Sequence, residues 1–141
     1  MSTVLNPYLN FRGTAREAME FYRGVFGGEL QVSTFAEFHA SQDPSDDHLV
    51  MHSRLVTSSG YVLMGADTPE QMPLTVGNNV SVSLGGEERE ELQRYWEGLS
   101  EGATILVPLA DSPWGDSFGM LTDRFGINWL VNIAGSSASS S

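Results

Sequence analysis

The order strand, helix, strand, strand, strand is written twice in this chain, and the residues themselves echo it. A shift of 73 residues places Gly13 on Gly86, Arg16 on Arg89, Glu17 on Glu90 and Tyr22 on Tyr95. The closing hairpins superpose through Gly60 and Gly126 with a shift of 66. The seven-residue difference falls in the first copy, where the polar stretch HASQDPSDDH (residues 39–48) lies. Four identities would be slight evidence alone. Joined to the matched element order, they indicate duplication of one βαβββ unit.

The elements follow from local patterns. Residues 4–11 alternate as a strand, with Leu9 and Phe11 on one face and Tyr8 and Asn10 on the other. Thr14 and Glu17 have capping-box spacing, and Ala15, Ala18, Met19, Tyr22, Val25 and Phe26 recur on one helical face, stopped by Gly27. Residues 29–37 are a predicted strand. Residues 48–56 and 61–67 form a predicted hairpin about Ser59-Gly60. In the second copy residues 80–84 (VSVSL) alternate most clearly. A helix starts at Glu87 and carries Leu92, Tyr95, Trp96 and Leu99 on one face, with a stop at Gly102. Strands at 104–109, 117–122 and 128–134 complete the copy. Residues 135–141 (GSSASSS) have the composition of a disordered tail.

Composition bounds what such a chain does. The length of 141 residues suits one domain, residues 1–134, built of modules at about 4–67 and 79–134, and a hydrophobic share of 40% supplies a core. No apolar run approaches the ~20 residues that span a bilayer, and the first residues lack a secretory pattern, so a cytoplasmic location without membrane association is expected. The absence of cysteine removes disulfides, thiolate nucleophiles and iron–sulfur clusters. Eighteen acids against seven bases give a net charge of −11, which repels nucleic acid. The same charge serves solubility, or a preference for cationic ligands.

Three segments carry a family likeness: NPYLNFRGTAREAMEFYRGVFGGEL, VMHSRLVTSSGYVLMGAD and WGDSFGMLTDRFGINWLVN. Together they resemble the PhnB-like branch of the vicinal oxygen chelate superfamily over about residues 4–134. That superfamily includes glyoxalases, fosfomycin-resistance transferases, extradiol dioxygenases and bleomycin-binding proteins. The resemblance implies an α+β fold of two βαβββ modules forming an open, eight-stranded, cup-shaped barrel with helices outside, and a homodimer. Ubiquinone methyltransferase activity is attributed to some PhnB-like sequences. Nothing in this one resembles a Gly-rich methyl-donor site, and the attribution is not carried over.

Catalytic members of the superfamily hold one divalent ion with His and Glu ligands from the first and last strands of each module. Here strand parity puts Trp129, Val131 and Ile133 in the core and Asn128, Leu130 and Asn132 toward the cup. The carboxylate of metal-binding relatives falls on Leu130, four residues after Gly126, and the repeat carries that position to Met64. The first-strand and fifth-strand matches are Tyr8 and Asn79. Leucine cannot coordinate, methionine is a soft thioether, and Asn and Tyr are poor ligands without a carboxylate nearby. No metal and no other cofactor is therefore expected.

Other residues keep two readings each. His52, whose face the alternation does not settle, is a structural histidine or a ligand contact. His39 and His48 bracket Asp43, Asp46 and Asp47, as a solvated mobile lid or a metal site. Ser81 and Ser83 face the cup and could bond a ligand, but no His–acid pair is placed to activate either. Trp114 is a core or dimer-interface residue, or a platform at the cup's mouth. Trp96 and Trp129 read as core, and Asp67 as a rim or turn residue. The leading expectation is metal-independent binding of a small organic ligand, with Tyr8, Asn10, His52, Met64, Asn79, Ser81, Trp114, Leu130 and Asn132 as contacts. The alternatives are a glyoxalase-type metal lyase or isomerase, and a non-catalytic regulatory dimer.

Overall fold

The computed structural model of the chain describes residues 3–39 and 43–135. It divides between residues 75 and 76 into two compact units, each running βαβββ, as the repeat requires. The fold is α+β, with one four-stranded sheet and one long helix to a unit.

In the first unit β1 (Tyr8–Phe11), α1 (Ala15–Phe26), β2 (Glu29–Thr34), β3 (Val50–Val56) and β4 (Val62–Asp67) form a sheet of order β1-β4-β3-β2. The β1–β4 pair is parallel and the other two are antiparallel. α1 forms because Ala15, Ala18, Met19, Tyr22 and Phe26 make one apolar stripe, and all five are buried. The sheet meets that stripe with Leu9, Phe11, Leu55 and Leu63. Ser53 is buried among them because its hydroxyl donates to the Gly65 carbonyl at 2.6 Å.

The expected capping box does not form. Thr14 makes no side-chain cap, and the N–H of Ala15 donates instead to Asp67 Oδ1 at 2.9 Å. The other oxygen, Oδ2, accepts the Val50 N–H at 3.0 Å. Asp67 is thus no rim residue. It is buried and ties the helix start to two strands.

The second unit holds β5 (Val82–Gly86), α2 (Arg89–Ser100), β6 (Thr104–Asp111), β7 (Ser117–Thr122) and β8 (Asn128–Ile133) in the order β5-β8-β7-β6. Trp129, Val131 and Ile133 are buried and Asn128, Leu130 and Asn132 half-buried, the parity that period two demands. Trp129 is a core residue, its indole N–H donating to Asp123 Oδ2 at 2.8 Å. Trp96 is only half-buried. It lies over Gly119, where an added Cβ would stand 2.8 Å from its ring and 2.9 Å from the Leu109 backbone.

Several ends differ from expectation. β1 and β5 begin later because their parallel ladders start at Tyr8↔Met64 and Val82↔Trp129. β2 stops at Thr34, whose N–H and hydroxyl bond Glu37 Oε1 while its hydroxyl oxygen accepts the Glu37 N–H, turning the chain. β6 runs longer, to Asp111, through register shifts around Leu106 and between Val107 and Ala110. Residues 136–141 of the expected tail lie outside the described residues. No helix among the described residues is long and apolar enough to cross a membrane.

Candidate functional site

Pairing across four strands sets which side chains share a face. In the first unit the register runs Gln31↔Arg54, Arg54↔Met64 and Tyr8↔Met64, so Gln31, Arg54, Met64 and Tyr8 form one row across the sheet. The next row carries Ser33 paired with His52, and Asn10 on β1. Since Ser53 and Leu55 point to α1, alternation turns His52 and Arg54 to the far face. That answers the question the sequence left open about His52.

Tyr8 and His52 meet on this face. The phenol oxygen stands 3.0 Å from His52 Nδ1, and the rings stack with centroids 5.7 Å apart. Burial pushes the Tyr8 phenol above its ordinary value, so it stays protonated at neutral pH. Assigning its O–H as the donor makes Nδ1 the acceptor and leaves the imidazole proton on Nε2. Tyr8 still shows 43% of its surface, and Met64 beside it is half-buried. A phenol, an imidazole, a thioether and two amides therefore share one partly wet surface.

Further along the same face a cavity of about 370 Å³ opens between β2 and β3. Gly28, Glu29, Gln31, Arg54, Val56 and Thr57 line it. Gly28, at φ +106°, lets the chain enter β2 so close to β3 that a Cβ there would strike the Val56 carbonyl. Reasoning from the sequence missed Arg54 and Gln31. The signal was present in the alternation of β3, but the buried Ser53 concealed it.

The second sheet has a different far face. Its matching row is Val107, Met120, Leu130 and Ser83, and the next is Ala110, Phe118, Asn132 and Gly85. Asn132 donates to Asp116 Oδ2 at 3.0 Å, and Oδ1 accepts the Gly135 N–H at 3.1 Å. These two bonds, that of Asn132 foremost, hold the Asp116 carboxyl below the ordinary aspartate value. The serine beside Leu130 is Ser83. Asn79 and Ser81 are exposed and precede β5, so neither stands in the ladder. Trp114 is 65% exposed on the β6–β7 turn, which removes its core reading.

Of the positions that the family resemblance gave to metal ligands, Tyr8, Met64 and Leu130 stand in the two parallel ladders, and Ser83 rather than Asn79 pairs with Leu130. A phenol, a thioether, a hydroxyl and an alkyl chain do not fit a divalent ion. Among the described residues no group of three or more His, Asp or Glu could hold a metal. In the 39–48 segment Asp43 Oδ1 accepts from both the Ser45 N–H and its hydroxyl, which lowers the Asp43 carboxyl and commits it to the turn.

Two successive βαβββ units, each with parallel first and last strands, define the vicinal oxygen chelate fold. The family model described as 3-demethylubiquinone-9 3-methyltransferase matches residues 3–132. Protein PA1353 of Pseudomonas aeruginosa is 37% identical, with a TM-score of 0.80 over 96% of this chain and 100% of that one. A Bacillus cereus structure, described as a putative 3-demethylubiquinone-9 3-methyltransferase, PhnB protein, is 25% identical at a TM-score of 0.72, over 94% and 100% of the two chains. A Burkholderia phytofirmans protein of the glyoxalase/bleomycin resistance protein/dioxygenase family shares the fold alone. It is 14% identical at a TM-score of 0.59, over 92% and 96%. The chain belongs to the PhnB-like branch of the vicinal oxygen chelate superfamily.

Proposed function

We propose that the protein is a metal-independent binder of a small organic molecule, which it holds on the far face of the first sheet. The observation that carries this reading is the Tyr8–His52 pair beside Met64 on that face. These groups supply hydrogen bonds and soft apolar contact in a partly wet site, the mixture that shape-selective pockets use. Methyl transfer, which the family description names, finds no counterpart here. Each sheet has two antiparallel pairs and a single parallel pair, not the doubly wound parallel sheet whose Gly-rich turn cradles a nucleotide-like cofactor.

The protein acts in the cytoplasm as a homodimer that takes neither nucleic acid nor membrane as partner. The net charge of −11 supports the exclusion of nucleic acid. Exposed Ile105, Leu106 and Val107 on edge strand β6 support self-association, since such edges aggregate unless covered.

Elemental analysis and a melting screen test the binding reading. Protein purified without chelator should carry well under one equivalent of transition metal. A bound organic ligand at a hundredfold excess over its Kd should stabilise the fold by about 2.7 kcal/mol, and Tyr8→Ala should abolish that gain. Near-stoichiometric zinc, nickel or manganese, lost on changing Tyr8 or Met64, would overturn it.

A further inference from the structure

The geometry points to a single carboxylate on the ligand, received by Arg54 in the cavity between β2 and β3. This rests on the reading that the far face of the first sheet binds a small molecule, and adds its chemical class. Arg54 projects into the cavity of about 370 Å³, and among the described residues its guanidinium makes no hydrogen bond or ion pair. Two other cations of the first unit are spent: Arg12 donates to the Thr68 and Pro69 carbonyls, and Arg23 to the Gly28 carbonyl while pairing with Glu20. A guanidinium has five donors and no acceptor, and its planar fork matches a carboxylate with two parallel hydrogen bonds. Gln31, directly opposite on β2, adds an amide donor in the same row.

The neighbours narrow the choice. Val56 lines the cavity and Met64 is the next residue in Arg54's row, so the anion arrives attached to an apolar body. Glu29 lines the same cavity, paired with Val56 one row from Arg54. A dianionic phosphate would face that carboxylate with twice the charge, inside a chain of net charge −11. A monocarboxylate pays half that repulsion and keeps both bonds. The preference runs against the cationic ligand that overall charge suggested, because the groups in contact with a ligand outweigh distant screened ones.

The test is an amide NMR titration of the full chain with benzoate, with neutral benzamide of the same shape, and with inorganic phosphate. Benzoate should shift the amides of Gln31, Arg54, Val56 and Thr57 saturably, with benzamide and phosphate each about tenfold weaker or worse, as loss of a charge-assisted pair implies. Arg54→Met should lower benzoate affinity about tenfold while the amides of α1, on the other side of the same sheet, stay in place, showing that the first unit is folded. Arg54→Lys should recover part of the loss, because a point charge lacks the fork. Equal affinity for benzoate and benzamide, benzoate binding unchanged in Arg54→Met, or a preference for phosphate would overturn the carboxylate assignment. Saturable shifts at Tyr8, His52 and Met64 that ignore Arg54→Met would do so and leave the binding face standing. No saturable shift anywhere on the face, with any of the three probes, would overturn both.

Discussion

Asp67 offers the sharpest test of how the first unit is held together. Its carboxylate accepts the Ala15 N–H on one oxygen and the Val50 N–H on the other, at 2.9 and 3.0 Å, and only 6% of the residue is exposed. A hydrogen bond to a charged group contributes about 1.5–3 kcal/mol, and a buried donor left unpaired costs about as much. Asp67→Ala loses two such bonds, so it should destabilise the protein by roughly 3–6 kcal/mol, a large part of the ~5–15 kcal/mol of a typical domain. Asp67→Asn keeps the shape but presents an NH₂ group to one of the two donors. It should cost about half as much, with the penalty concentrated in one bond. Urea melts followed by far-UV circular dichroism give the midpoints. Amide exchange at Ala15 and Val50 locates the damage, which should accelerate at both in the alanine variant. If Asp67→Ala shifts stability by less than about 1 kcal/mol, the size expected of a surface change, this carboxylate does not hold the helix to the sheet.

Three further outcomes check other parts of the structure. Trp129→Ala should cost roughly 3–5 kcal/mol, whereas Leu130→Asn, on the half-buried face of the same strand, should cost on the order of 1 kcal/mol; denaturant melts that reverse this order would invert the parity of β8. Gly119→Ala should destabilise by about 1–3 kcal/mol through overpacking, and adding Trp96→Leu should rescue it only in part in a double-mutant melt, because Leu109 contributes backbone to the clash. Asp116 titrates below an ordinary aspartate, so what it contributes to stability is complete above the ordinary value and is lost as pH falls through its lowered one. An NMR pH titration should show the Asn132 side-chain amide moving at that lowered pH, and the movement should vanish in Asp116→Asn.

Local periodicity made much of this protein legible without tertiary structure. The stripe Ala15, Ala18, Met19, Tyr22, Phe26 has the spacing of one helix face whatever that face meets, and the same five residues are buried in the fold. Alternation in β8 likewise separated Trp129, Val131 and Ile133 from Leu130 and Asn132. The duplication and the family likeness came from the order of such local signals along the chain. Registers between distant strands are another matter. Nothing within three or four residues of Tyr8 says that it stands beside Met64 and bonds His52, or that Ser83 rather than Asn79 or Ser81 lies next to Leu130. The same holds for Asp67, which caps a helix 52 residues away in sequence and so displaces the cap that Thr14 and Glu17 spelled out. Period and propensity are properties of neighbouring residues, and the sequence alone determined what depends on them. The row of Gln31, Arg54, Met64 and Tyr8 exists only because four strands from separate parts of the chain pair in one register, and that pairing was decided by packing against α1 in the folded unit.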